Sequence, residues 1–405
     1  MVTLSPDRFS ALWRSLLPIG RDGRDGGYLR FSWTEAELAC REWFVEEALD
    51  RDLEVEIDGN GNLWAWWGSP DGEPAIVTGS HLDSVPDGGP YDGPLGVVSA
   101  LLAVDLLRER GVQPRSPLAI VVFTEEEGAR FGVPCLGSRL LTGAFDADRA
   151  RRLRDRDGTT LADAMSRAGL DPARLGPDPE RLARVRGFVE LHVEQGRALA
   201  ELGAPIGVAS AIWPHGRYRF DFTGQPNHAG TTPMDDRHDP MLTLAFTVLA
   251  ANKEARLQGA HATVGRVSVE PNTTNAIPAR ASAWLDARAP DETVLRSLVD
   301  AIRRHAEERA GRDGTAVTLQ PESVTGEVAF DNTVSRLAAR TLGAPVLPTG
   351  AGHDAGVLAG HVDAAMLFVR NPTGISHAPQ EHAEDVDCAA GAMALADVLG
   401  RLCGV

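Results

Sequence analysis

Apolar residues at Leu38, Trp43, Phe44 and Ala48 stand among charges in TEAELACREWFVEEALD, and this spacing predicts an amphipathic helix over 34–50. A different rhythm follows. LEVEIDGNGNLWAWWG reads as a hairpin pair turning at Asp58-Gly59-Asn60-Gly61, and the short apolar run PAIVTGS ends at His81 as a buried parallel strand does. PLGVVSALLAVDLLRERG, opened by Pro94 and closed by Gly111, predicts a mostly buried helix, while PLAIVVFT and GFVELHVEQG predict two more strands. Residues 147–186, rich in Arg, Asp and Pro, predict exposed helices; RARRLRDRDG reads as a solvated helix end because its opposite charges alternate. Trp64, Trp66 and Trp67 are read as sheet packing rather than as a ligand platform.

The strand, helix, strand order predicts an α/β domain with a mixed, mainly parallel sheet and helices on both faces, binding ligands beyond the carboxyl ends of its strands. From about residue 212 the pattern changes. A strand in RYRFDFTG is followed by a helix from Pro240 to Ala255, strands in ATVGRVSVEP and ARASAWLDARAP, a helix from Glu292 to Ala310 and a strand in TAVTLQPES. That βαββαβ order is the ferredoxin-like split unit. AMLFVR and the helix DVDCAAGAMALADVLGRL then resume the first style. The expectation is a discontinuous catalytic domain, 1–211 and 325–405, interrupted by an α+β insert over 212–324.

The formal charge of −17, from 57 acidic against 40 basic residues, argues against a nucleic-acid or anionic-membrane surface, since phosphate binding draws on clustered Lys and Arg. A small soluble substrate fits better. Cys40, Cys135, Cys388 and Cys403 show no CxxC spacing and read as reduced thiols in cytoplasm. The N-terminus lacks the layout of a secretory signal, and no run of eighteen apolar residues occurs, so export and membrane insertion are not expected.

Five metal-seeking side chains, His81, Asp92, Glu127, His192 and His377, sit where strands or helices are predicted to end. A mixed set of imidazoles and carboxylates suits zinc, manganese, cobalt or nickel, and an odd number lets one carboxylate bridge two ions. Asp92, set among small residues in GGPYDGPLG, is the choice for the bridge. Glu126, beside Glu127, is the candidate base, and Asp83 is placed to accept the second N–H of His81. Taken singly, each has a plainer reading as a hydrogen-bonded His, an N-cap Asp or a solvated acidic turn. Their recurrence at strand ends weighs against it.

The strings GSHLDSVPDGG, YDGPLGV, FTEEEGARFG, CLGSR, ELHVEQG, NHAGTTPM, NTTNAIPA, GAGHDAG and GISHAPQE, in that order, resemble the M20 family of metallopeptidase-like hydrolases. More narrowly, they are similar to its amidase branch, which includes N-carbamoyl-L-amino acid hydrolases, β-ureidopropionases and allantoate amidohydrolases. The likeness spans roughly residues 30 to 395. It implies two divalent ions, one on His81, Asp92 and His192, the other on Asp92, Glu127 and His377, with water or hydroxide between them. It implies hydrolysis of a ureido C–N bond, a histidine rather than an acid at 192 marking the amidase branch. His228, with Asn227 beside it, is a candidate donor to the oxyanion, and the resemblance sends it into a neighbouring subunit's site, making the insert a dimerisation domain and the protein a homodimer. Arg288, at a strand end, is a candidate clamp for a substrate carboxylate; the resemblance adds Asn275 and Gly352 to that pocket. Gln195 is expected to face the ureido group or the water at the metals. Where allantoate amidohydrolases carry a Gln, WPHGRYRF has His215, which speaks against allantoate and for another ureido or N-acyl acid. Trp213 reads equally as a pocket wall or as hinge packing, and His353 and Asp354 as outer support or pocket lining. An allantoate amidohydrolase, and an M20 peptidase or aminoacylase acting on N-acyl amino acids, are the alternatives.

Overall fold

The computed structural model describes residues 3–69 and 73–404, and the chain divides into two compact units, Met1–Ser210 with Phe330–Val405, and Ala211–Ala329. The first strands in chain order are β1 (Glu54–Ile57), β2 (Leu63–Trp67), β3 (Ala75–His81), β4 (Leu118–Phe123), β5 (Val185–Val193) and β6 (Ile206–Ile212). Next come β7 (His215–Thr223), β8 (Asn227–His228), β9 (His261–Glu270), β10 (Ala276–Ile277), β11 (Arg280–Arg288), β12 (Ala316–Thr325) and β13 (Val328–Ala329); β14 (Val346–Thr349) and β15 (Asp363–Val369) follow.

In the first unit the strand order is β1-β2-β4-β3-β5-β15-β6, with β4, β3, β5 and β15 mutually parallel and antiparallel strands on either side. Parallel strands covered on both faces read as unbroken apolar runs, and every residue of β3 and β4 is buried. The hairpin at 58–61 joins β1 to β2, where Trp64 and Trp66 are buried with ring centroids 5.9 Å apart. Helices Pro94–Glu109 and Asp385–Leu402 supply Val97, Leu101, Leu106, Leu395 and Leu399 to the main core beside Ile76, Val122 and Leu191 of the sheet.

Residues 147–186 depart from the expectation of simply exposed helices. The helix Leu161–Arg167 buries Leu161, Ala164 and Met165, an apolar stripe at i, i+3 and i+4, in a separate small core with Trp33, Phe131 and Leu140. Arg151, within the charged run, donates to the carbonyls of Pro172, Ala173 and Leu175, so that part of the run anchors a neighbouring loop.

The second unit has the antiparallel order β12-β7-β11-β9. Helices Pro240–Leu257 and Glu292–Asp313 cover one face, where Tyr218, Phe220 and Phe222 of β7 pack with Ala281, Ala283, Leu285 and Ala287 of β11. The alternate residues, among them His215, Arg217, Asp286 and Arg288, fall on the other face. The second unit ends at Ala329, beyond the expected 324, because β13 pairs with Ala211 and Ile212.

Candidate metal centre

Parallel strands that stop together bring their last side chains to one edge. His81 ends β3 and His192 is the penultimate residue of the adjacent β5; their rings lie 6.0 Å apart. Beside them β4 ends at Phe123, and the chain turns at Glu125, whose φ of 53° is left-handed. After that turn the three glutamates part. Glu125 accepts the amides of Arg130 and Phe131 at 3.0 and 2.6 Å, whereas Glu126 places Oε2 3.6 Å from His81 Nε2 and Glu127 places Oε2 3.5 Å from His377 Nε2.

Asp92 lies at the centre. Its Oδ1 is 3.6 Å from His81 Nε2 and 3.2 Å from His192 Nε2, and its Oδ2 is 3.3 Å from His377 Nε2. Tetrahedral ligation with bonds of about 2.0–2.1 Å sets ligand atoms about 3.3 Å apart, so these separations suit shared cations. The imidazole tautomers make the same point. Nδ1 of His81 donates to the Asp83 carbonyl at 3.1 Å and Nδ1 of His192 to the Val193 carbonyl at 2.9 Å, which leaves a bare lone pair on each Nε2 of a neutral ring. Both Nε2 atoms are buried without a hydrogen-bond partner, facing a carboxylate oxygen. Two acceptors in that arrangement need a proton or a metal ion between them.

Electrostatics of the cluster agree with this reading. Burial alone would lower the basicity of His81, yet the surrounding Glu126, Asp83 and Asp92 carboxylates hold it well above the ordinary histidine value. Asp92 is held well below the ordinary range, because His192, His377 and His81 outweigh its burial. Burial, reinforced by Asp92, pushes Glu127 up to about 7, and the hydrogen bond to Asp92 raises His377 to about 9. Such an excess of buried negative charge favours a divalent cation.

Local backbone geometry is specialised here. Glu125, Cys135 and His377 all have left-handed φ, at 53°, 52° and 55°, each costing about 1–3 kcal/mol outside glycine. At Gly93, φ is 87° and an added Cβ would lie 2.4–2.6 Å from the His81 ring. Gly93→Ala is therefore expected to displace His81, lower the melting temperature and reduce bound metal; calorimetry and metal analysis check this.

Comparison with known proteins bears on the same residues. Residues 77–401 match the profile of Peptidase family M20/M25/M40. The chain belongs to this family. An N-carbamoyl-L-amino acid amidohydrolase of Geobacillus stearothermophilus is 37% identical over 400 residues, covering 96% of this chain and 98% of the relative. An allantoate amidohydrolase of Escherichia coli is 33% identical over 387 residues, covering 93% of each. The crystal structure of a hydantoinase/carbamoylase family amidase from Burkholderia vietnamiensis superposes with a TM-score of 0.88 at 30% identity, covering 98% of this chain and 97% of that one.

Several residues of this M20 chain stand differently from their sequence reading. Asp83 touches His81 chiefly through its carbonyl, with the carboxylate at 3.5 Å; that carboxylate accepts the amides of Glu126 and Glu127 at 3.2 and 3.1 Å and so fixes the acidic turn. Gln195, expected toward substrate or water, donates to Asp92 Oδ2 at 2.7 Å. Arg288, expected to be a carboxylate clamp, holds Asp286 through Nε and Nη2 at 2.7 and 3.1 Å, because the two share a sheet face two residues apart. His215 lies opposite Arg288 in the register of β7 and β11 and interacts through Nδ1 with the Trp213 carbonyl. Trp213 stacks on His261.

His228 and Asn275 meet within the second unit, where β8 pairs with β10 and the Asn275 carbonyl accepts the Ala229 amide. The amides of Gly230 and Thr231 both donate to His228 Nδ1, at 3.0 and 3.2 Å. The neutral ring therefore carries its proton on Nε2 and is a donor there. Gly352 is exposed, directly before the buried His353 that caps the helix Asp354–Leu358.

Four supporting residues escaped the sequence reading. Glu381 accepts the amides of Tyr91 and Asp92 at 2.7 and 2.9 Å, and Ser376 donates to both Glu381 and Asp92. Glu190 accepts from the Ser80 hydroxyl and the Ala355 amide, each at 2.9 Å, beneath His192, and His353 packs edge-on against that ring. Cys135 donates its thiol to Glu126. Glu381, four residues after His377, and Glu190, two before His192, offered proximity to ligands as the only signal.

Proposed function

We infer that this chain is a metal-dependent amidohydrolase that cleaves the C–N bond of an N-carbamoyl or related ureido amino acid, releasing ammonia and carbon dioxide. The observation that carries the reading is the pair of unpartnered Nε2 atoms facing Asp92, next to a buried carboxylate, Glu126, that stands outside both sets of candidate ligands. Membership of the family and the activities named for its relatives supply the reaction class.

Two divalent ions fit the donor set, one on His81, Asp92 and His192, the other on Asp92, Glu127 and His377. The chemistry such ions supply when bound is polarisation of a carbonyl and a lowered pKa for water. Glu126 takes the proton from the attacking water and passes it to the leaving nitrogen. Arg288, oriented by Asp286, takes the substrate carboxylate, and His215, opposite it in the register of β7 and β11, shapes that pocket, while Asn275 accompanies His228. Gln195 steadies Asp92. Among the described residues no helix is long and apolar enough to cross a membrane, and the four buried free cysteines fit a reducing cytoplasm.

His228, a donor through Nε2, serves the oxyanion in the site of the second subunit of a homodimer. His228→Ala is expected to lower kcat about 10²–10³-fold. Mixing it with inactive Glu126→Gln should restore about a quarter of native activity, since half the random dimers carry one complete site. No recovery on mixing would place His228 in its own subunit's site. Ammonia release from N-carbamoyl-L-amino acids, N-carbamoyl-β-alanine and allantoate, with several added metals, tests the reading as a whole. N-carbamoyl-L-amino acids are expected to turn over fastest, and inactivity on all three classes would overturn it.

A further inference from the structure

We propose that Cys135 is a positioning residue for the base, its thiol holding one oxygen of Glu126 so that the other faces the ligand cluster. This rests on Glu126 acting as the base. Cys135 Sγ donates to Glu126 Oε1 at 3.2 Å, while Oε2 stands 3.6 Å from His81 Nε2. The carboxylate is thereby divided, one oxygen tied and one presented.

The backbone builds this contact in. Cys135 donates its amide to the Glu126 carbonyl at 2.6 Å, and the Leu136 and Gly137 amides donate to the carbonyls of Glu125 and Thr124 at 3.1 and 2.9 Å. The returning loop thus runs antiparallel to 124–126, and Cys135 faces Glu126 in fixed register. Cys135 has a left-handed φ of 52° and is buried, a conformation that packing alone does not require of a cysteine. Its donor state is secure. Burial first, then the charges of Glu126 and Asp354, hold the thiol well above its ordinary range, so it remains S–H.

The chemistry suits a base. A strong donor on Oε1 would stabilise the carboxylate and weaken its pull on a proton, whereas a thiol is a weak donor that orients with little loss of basicity. Cys40, Cys388 and Cys403 are also buried, but none donates its thiol to a carboxylate in the hydrogen bonds observed among the described residues.

Serine keeps a donor at this position and alanine does not. Cys135→Ala is expected to lower kcat about tenfold or more, part of the 10²–10⁴-fold that acid-base catalysis provides, with KM and metal content unchanged. Cys135→Ser should stay much nearer the native rate. A purely packing role predicts the reverse order, because a buried hydroxyl replaces a small apolar group less well than a methyl does. Infrared spectroscopy gives a readout independent of turnover and of metal. The S–H stretching band that disappears in Cys135→Ser is expected to shift in Glu126→Gln. Alanine equalling or exceeding serine in rate, or a band unmoved by Glu126→Gln, would overturn the proposal. Native protein that turns over no ureido acid would instead defeat the amidohydrolase reading, and the role of Cys135 with it.

Discussion

Glu126→Gln is expected to lower kcat about 10²–10⁴-fold while leaving bound metal and KM close to native. The substitution keeps the side chain's volume and an oxygen able to accept the Cys135 thiol, so the loop from 124 to 137 has no reason to rearrange. What is lost is the capacity to take a proton. Burial, with Asp354, Glu127 and Asp83 nearby, holds the Glu126 carboxyl well above the ordinary range against the opposing pull of His81, a setting that makes it a strong proton acceptor. Its neighbour is the control. Glu125 uses its carboxylate to accept the Arg130 and Phe131 amides, a task the amide oxygen of glutamine also performs, so Glu125→Gln should retain near-native turnover. Steady-state ammonia release and metal analysis on the two variants decide the matter. Equal losses, or an active Glu126→Gln, would remove Glu126 from the role of base.

The contrast between these adjacent glutamates marks where sequence reasoning stops. Strands β3 and β4 were legible because burial on both faces demands unbroken apolar runs, and the turn at 58–61 because its glycines and Asn-Gly pair admit little else. His81, Asp92, Glu127, His192 and His377 could be singled out because ligand-type residues recurred at the ends of such strands. The helix Leu161–Arg167 was harder. Its stripe of Leu161, Ala164 and Met165 is one short turn of pattern among charges, and its meaning depends on Trp33 and Phe131 arriving from elsewhere. Partnerships were harder still. Glu381 supports the Asp92 amide across a sequence separation of 289, and nothing in GISHAPQE announces that contact. Arg288 and Gln195 show the same limit, since their type was informative while their partners, Asp286 and Asp92, were set by the face of β11 and by the loop after β5.

Asp92→Asn is expected to abolish both metal binding and turnover while leaving the chain folded. Among the described residues Asp92 alone faces both histidine groups, with Oδ1 toward His81 and His192 and Oδ2 toward His377. A neutral amide cannot bridge two cations. Instead its NH2, placed toward the first pair, donates to the otherwise unpartnered Nε2 of His192 at the 3.2 Å now separating that atom from the carboxylate, which stabilises the metal-free form. Binding of a ligand at a hundred times its Kd stabilises a native state by about 2.7 kcal/mol, so the native protein should melt higher when zinc, manganese, cobalt or nickel is added and Asp92→Asn should not. The supporting residues set the scale for comparison. Ser376→Ala and Glu381→Gln remove groups that hold Asp92 rather than ligands themselves, and each should cost about 10–100-fold in metal affinity or activity, less than the substitution at Asp92. The two groups of ligands also differ in what already occupies them. Gln195 and Ser376 donate to Asp92 Oδ2 at 2.7 and 3.0 Å, so a cation between His377 and Glu127 competes with them, whereas one between His81 and His192 displaces no such donor from Asp92 Oδ1. Titration of the metal-free protein should accordingly fill the His81–His192 side first, and Gln195→Ala should narrow the gap between the two affinities. A single unresolved binding step in the native protein, or a metal-dependent rise in melting temperature retained by Asp92→Asn, would show that Asp92 does not join the two groups.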